Sequence, residues 1–192
     1  MLAENPKEIT CAGLRALGEE SRGHIRQIIL HWTAGHYGQA YDDYHLNIDK
    51  DGQVYQTCTR LSEKKEHTFQ HNVKTVGIAL CCGADAVCKN YSSVNFGSEP
   101  PTPLQIERMA GVVAILAEAL GIYITHVTVV THAEVANAEG YGVGSGDPDM
   151  RWDLLQLPDL PLTRELKCGG DVLRGKALWY QTYYAKRRAG LL

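Results

Sequence analysis

Three short runs of aliphatic residues do most to constrain the fold: Ile28–Leu30, Thr75–Cys82 and Val127–Val130. None is long enough for a core helix, and their β-branched content predicts strands. The first two show no alternation of apolar and polar residues, so they read as strands buried on both faces, with Thr75–Cys82 central to a sheet. Between them, Tyr44–Gln56 (YHLNIDKDGQVYQ) reads as a β-hairpin around an Asp-Lys-Asp-Gly turn, which forces antiparallel pairing. Thr102-Pro103-Leu104-Gln105 opens a helix with an N-cap, a proline at its first position and a capping glutamine. Ile106, Met109, Val113, Leu116 and Leu120 then keep helical spacing up to Gly121. A mixed central β-sheet flanked by helices follows, an α/β fold within one domain spanning 1–192.

The connections are read more simply. Residues 1–25 form a polar lead-in with one helical turn, and Leu61–Lys74 an exposed loop. Ala84–Pro101 lacks periodicity and is the longest loop, and a Gly-rich loop follows His132. A short helix is expected at Arg151–Gln156, stopped by Pro158 and Pro161, and a last helix at Val172–Arg188.

Charge and composition remove several function classes. With 19 basic and 22 acidic residues the net charge is −3, so no nucleic acid is an expected partner. Lys186-Arg187-Arg188 cluster at the end of a helix, where they complement its dipole. No run is long enough to insert into a membrane. The first thirty residues carry Glu4, Lys7, Glu8 and Arg15 instead of the apolar core of a signal peptide. A protein that stays in the cytoplasm until lysis, or leaves by a dedicated secretion route, is expected, and as a monomer. The six cysteines match no metal knuckle; buried free thiols, or one disulfide from Cys81 or Cys82 to Cys88, are the two readings.

Two of the apolar runs deliver a histidine at their ends, His31 in IILHWTAG and His132 in THAEVA. A carboxylate on a Gly-flanked loop, Asp147, can converge on both. Two histidines and one aspartate make a three-ligand set with a fourth position open, the pattern of a catalytic zinc site. Asp149 is the rival for the carboxylate.

These blocks resemble the zinc-dependent N-acetylmuramoyl-L-alanine amidases of the amidase type-2 group, whose fold peptidoglycan recognition proteins share. The resemblance rests on HWTAG (31–35), YHLNIDKDGQVYQ (44–56), HTFQHNVKTVGIAL (67–80), THAEVA (131–136) and GDPDMRWD (146–153). It spans about 27–155 and leaves 156–192 as a C-terminal helical extension. It implies one Zn²⁺ held by His31, His132 and Asp147, the last chosen over Asp149 for the family's Asp-Pro pair. The implied reaction is hydrolysis of the amide between N-acetylmuramic acid and L-alanine of the stem peptide, with peptidoglycan or muropeptides as substrate. Tyr44 falls at a family tyrosine needed for hydrolysis. Two positions depart from the pattern: Ala79 stands where some members carry a glutamate base, and Ser145 where a lysine is common.

Tyr44 and Ser145 are therefore the candidate catalytic donors, and a phenol near its ordinary pKa of about 10 is a better donor than base. His67, His71, Asn72 and Arg151 are candidates for substrate contact, the two histidines equally for plain exposure. His45, Trp32 and Trp152 read as packing residues. A non-catalytic peptidoglycan or muropeptide binding module on the same fold is the alternative. A thiol hydrolase is disfavoured because no cysteine has a nucleophile's context.

Overall fold

The computed structural model describes residues 1–159 and 165–191. Pro161, expected to help stop a helix, lies outside them. In chain order the elements are β1 (Lys7–Glu8), α1 (Cys11–Glu20), β2 (Gln27–Trp32), β3 (Leu46–Ile48) and β4 (Val54–Gln56). There follow β5 (Thr75–Leu80), β6 (Val87–Asn90), β7 (Ser93–Asn95), α2 (Pro103–Leu120) and β8 (Val129–Thr131). The chain ends with α3 (His132–Glu139), β9 (Gln156–Pro158), β10 (Leu166–Cys168) and α4 (Gly169–Arg188).

Six strands form one mixed sheet in the order β1-β4-β3-β5-β2-β8. The β3–β4 hairpin is antiparallel as its turn demanded. The β3–β5, β5–β2 and β2–β8 pairs are parallel. Both aliphatic runs expected to be buried are interior strands of this sheet, β5 and β2 side by side.

The two-residue period of a strand divides the sheet into two unlike faces. Ile28, Leu30 and Trp32 of β2, Leu46 and Ile48 of β3, and Val76, Ile78 and Leu80 of β5 enter the main core. On that side they meet α2, whose Ile106, Met109, Val113 and Leu116 are almost completely buried, and residues of α1 and α4. The intervening positions face the other way. There Ile29 joins Val130 and Val135 of α3 in a small separate cluster, and His31, Gly77 and Ala79 share that parity. The helical face of the sheet is thus a dry core, and the opposite face carries the polar residues.

Helix α2 starts at the predicted cap, with both hydrogen bonds of the Thr102–Gln105 capping box, and ends at Gly121 in the left-handed region. Its Gln105 is fully buried and donates to the carbonyls of Ile48 and Cys81, tying the helix to two strand ends. All six cysteines are free, so the disulfide reading is not realised, and Cys81 and Cys82 are both buried. No helix among the described residues is long and apolar enough to cross a membrane.

Five local expectations are corrected. The lead-in forms a ten-residue helix, α1, capped by Thr10. Its glycines read as breakers, but a Cβ on Gly18 would meet the Ala119 Cβ at 2.6 Å; the glycine is what lets α1 lie close against α2. Leu61–Lys74 is not wholly exposed, because Leu61, His67, Thr68 and Asn72 are buried. The long loop contains the β6–β7 hairpin. The segment after Thr131 is helical at once, since Thr131 and Glu134 form a second capping box. Arg151–Gln156 is not a helix: Leu154 takes a φ of 55°, and the chain turns into β9.

Gly18→Val should overpack the α1–α2 contact and cost about 1–3 kcal/mol. A thermal or urea melt reads this directly, and a stability equal to wild type would show that the helices can part without loss.

Candidate metal centre

His31 is the fifth residue of β2, fully buried on the polar face. His132 is the first residue of α3, where the Thr131 N-cap fixes the start of the helix. Since β2 and β8 are hydrogen-bonded neighbours, a strand-end histidine and a helix-start histidine meet with ring centroids 4.8 Å apart.

The carboxylate that joins them is Asp153. Its Oδ2 lies 3.3 Å from His31 Nδ1 and 3.4 Å from His132 Nδ1. One ligand atom from each of the three residues falls within 4.8 Å of the others. Two contacts pin Asp153 in place. Its carbonyl accepts the Ala133 amide near the start of α3, and the preceding Trp152 packs edge-on against Trp32 at 4.8 Å.

Asp147, expected as the third ligand, is not brought to the histidines. It sits on the exposed loop after Gly146, where its Oδ1 accepts the Asp149 amide at 2.7 Å and its own amide donates to Ser145 Oγ at 3.2 Å. Glycine and proline neighbours leave an aspartate at the surface; Trp152, Leu154 and Leu155 draw one inward. That apolar setting of Asp153 was the signal available in the sequence.

The electrostatics follow from burial. His31 is pushed down to about 4, chiefly by desolvation, with the neighbouring Asp153 opposing and His132 adding to the fall. Burial alone would raise the Asp153 carboxyl, but the two histidines against it, His132 foremost, outweigh that and hold Asp153 well below the usual carboxylate range. A neutral imidazole beside an ionised carboxylate is the protonation state in which both bind metals.

The remaining site residues divide. Tyr44, His67, Asn72, Asp147, Arg151 and Asp153 all line one open cleft of about 1330 Å³ beside the histidines. The Tyr44 ring is 5.0 Å from that of His31, and its hydroxyl donates to the Trp32 carbonyl at 3.4 Å. Burial, with Asp153 next, raises its phenol far above the ordinary value. Ser145 is exposed and outside the cleft, its Oγ accepting the Asp147 amide and its own amide donating to the Gly142 carbonyl. His71 is also outside it and pairs with Glu139 at 3.4 Å. Asn72 is occupied with the loop itself, accepting from the Thr68 amide and donating to Glu66. Arg151 donates to the carbonyls of Asp149 and Met150. His67 is buried, not exposed, and lies edge-on to His31 at 5.3 Å. His45 packs behind it as a structural histidine, its Nδ1 accepting the Gly77 amide at 3.0 Å and its Nε2 facing the Glu63 carbonyl at 2.9 Å.

Residues 21–148 match the model of the N-acetylmuramoyl-L-alanine amidase family, amidase type 2, and the chain belongs to that family and is an amidase. The match takes in His31, His132 and Asp147 and stops before Asp153. No curated protein matches the chain. Among solved structures it is similar to the N-acetylmuramoyl-L-alanine amidase LysC from Clostridium intestinale URNW (18% identity, 70% of this chain and 79% of that one, TM-score 0.43). The endolysin amidase LysCS from the same organism gives 18%, 70%, 78% and 0.43. The Ph2119 endolysin from Thermus scotoductus MAT2119 bacteriophage gives 20%, 57%, 72% and 0.44.

Three buried histidines set the acid stability. The folded chain holds His31 and His45 down to about 4 and His67 to about 2, each chiefly by burial. Unfolded, they titrate near 6.5, so between these values the unfolded chain binds more protons and folding weakens as pH falls. The stability is fully present above about pH 6.5 and drains by up to about 1.4 kcal/mol per pH unit for each histidine on the way down. Urea melts with chelator present, from pH 7.5 to 5, should show the loss beginning near 6.5. A flat profile would mean that these rings are hydrated or already charged.

Proposed function

We propose that His31, His132 and Asp153 hold one zinc ion, and that the enzyme cleaves the amide joining N-acetylmuramic acid to the L-alanine of the stem peptide. One observation carries the metal assignment: the His31–Asp153 and His132–Asp153 distances of 3.3 and 3.4 Å. They are too long for charge-assisted hydrogen bonds, which run at about 2.7–2.9 Å. They equal the edge, about 3.3–3.4 Å, of a tetrahedron with metal–ligand bonds of about 2.0–2.1 Å. His132 Nε2 is moreover buried with no hydrogen-bond partner, so this ring is not held in place by hydrogen bonds at both nitrogens. Three protein ligands leave the fourth position to the cleft.

Bound there, zinc would polarise the scissile carbonyl and make a water molecule acidic enough to attack near neutral pH. The protein's own groups do the rest. Tyr44 stays protonated at any working pH, so it acts as a donor toward the oxygen that gains charge, with only a long bond to the Trp32 carbonyl to give up. Asp153 is too acidic for a base, and Ala79 puts a methyl group beside His31 in the strand register where a glutamate would otherwise reach the site. Asp147, exposed where it lines the cleft, is the carboxylate assigned here as the proton acceptor. The cleft, at about 1330 Å³, has room for a sugar with several stem residues, which supports peptidoglycan or muropeptides as substrate.

Metal analysis of protein purified without chelators should find one zinc per chain. Asp153→Asn should lose it, and Asp147→Asn should keep it while slowing turnover. The reverse pattern would place Asp147 on the metal and Asp153 in a supporting role. Mass spectrometry of digested sacculi should show new L-alanine amino termini and intact lactyl groups, and cleavage at any other bond would refute the substrate assignment. Tyr44→Phe should retain zinc yet lose about 10²–10³ in rate, the effect of removing one oxyanion donor. Ser145→Ala should leave turnover unchanged, and full activity in Tyr44→Phe would remove the tyrosine from the mechanism.

A further inference from the structure

A line of hydrogen bonds runs behind the histidines from the loop at His71 to His31, and its directions can be assigned link by link. Thr75 Oγ1 donates to the His71 carbonyl at 2.6 Å. A hydroxyl has one proton to give, so toward His67 Nε2, at 3.2 Å, Thr75 only accepts. His67 Nε2 therefore carries the ring's hydrogen. His67 is buried against the His31 and His45 rings, and among the described residues no carboxylate pairs with it, so the ring carries a single hydrogen. Its Nδ1 is then a bare acceptor, and the Thr68 hydroxyl at 2.9 Å donates to it. With that proton committed, Thr68 Oγ1 only accepts from its other neighbour, His31 Nε2 at 3.4 Å.

We infer that Thr68, backed by His67 and Thr75, is a positioning residue that fixes His31 as the Nε2–H tautomer and so presents a bare Nδ1 to Asp153. This rests on reading the cluster as a metal site, and it adds which atom of His31 binds and what sets it. The alternative tautomer would aim Nδ1–H at the Asp153 carboxylate and close the site with an internal hydrogen bond. The fixed tautomer instead sets two acceptors 3.3 Å apart, an arrangement that repels unless a cation lies between them. Each part of the line is built in. Gly77 makes room for His67, since a Cβ there would stand 2.6 Å from its ring. The loop carrying Thr68 is closed by the Thr68 amide to Asn72 Oδ1 at 2.8 Å and the His71 amide to the Thr68 carbonyl at 3.0 Å. Neither Thr68 nor Thr75 needs to touch substrate for this role.

The test is long-range ¹H–¹⁵N NMR of the histidine rings in the full chain, first stripped of metal and then titrated with zinc against a chelating dye. Metal-free wild type should show His31 as Nε2–H. Thr68→Val keeps the shape and removes the hydroxyl; it should shift His31 toward Nδ1–H and weaken zinc binding about 10- to 100-fold, the usual loss for a ligand's outer partner. Thr68→Ser should restore both. If Thr68→Val does not fold, Thr75→Val probes the same line one link back, with the same expected direction. An Nδ1–H His31 in the metal-free wild type would overturn the inference, as would an unchanged tautomer and zinc affinity in the valine variants. Wild type that binds no zinc would instead sink the metal reading, while the ring tautomer still decides the relay.

Discussion

The structure depends on the parity of two adjacent parallel strands, β2 and β5. A strand buried on both faces gives alternate residues to each side, and here the two sides have different tasks. In β2, Ile28, Leu30 and Trp32 supply the core while Ile29 and His31 supply the other face. In β5, Val76, Ile78 and Leu80 go to the core, leaving Gly77 and Ala79 opposite. The small residues are as consequential as the histidine, because they leave the volume into which His67 packs. A one-residue slip of β2 would put His31 into the aliphatic core, and one of β5 would turn its large aliphatic residues onto His67, so stability and site register are one constraint.

The same parity explains what could be read in the sequence. The strands, the hairpin and α2 declared themselves because their signals are local: aliphatic runs, an Asp-Gly turn and a full capping box. His31 and His132 stood out because they ended such runs. What escaped was set by distant partners. Gly18 reads as a helix breaker until Ala119 is placed against it. His67 and Thr68 look like loop residues until Gly77 and Thr75 come beneath them. Asp147 has the sequence context of a family ligand, and only the fold shows Asp153 against both histidines.

The second capping box links the site to the end of the chain. Glu134 accepts from the Thr131 amide and so starts the helix that presents His132. Both of its carboxylate oxygens also take the guanidinium of Arg174, at 2.8 and 2.9 Å, and Arg174 further donates to the Val129 carbonyl in β8. Helix α4, beyond the family match, therefore clamps the strand and the helix on either side of the junction before His132. A bidentate guanidinium fixes orientation as well as charge, so α4 helps hold a histidine it does not touch.

That clamp also clarifies why one cluster of potential ligands points to a metal and another does not. Among the described residues, two groups of acids, thiols and imidazoles come together: His31–His132–Asp153 and Glu134–Cys168–Asp171. In the second, Arg174 already supplies the positive charge, bonded to Glu134 and, at 2.6 Å, to Asp171. Its carboxylates are satisfied, and an added cation would have to displace a planar donor that fits them. The first group contains no such arginine or lysine. Its carboxylate is ionised and its His31 is neutral. Burying that charge is costly unless a cation compensates it. The protein supplies its own cation to one cluster, and the proposed zinc would supply one to the cluster that opens onto the cleft.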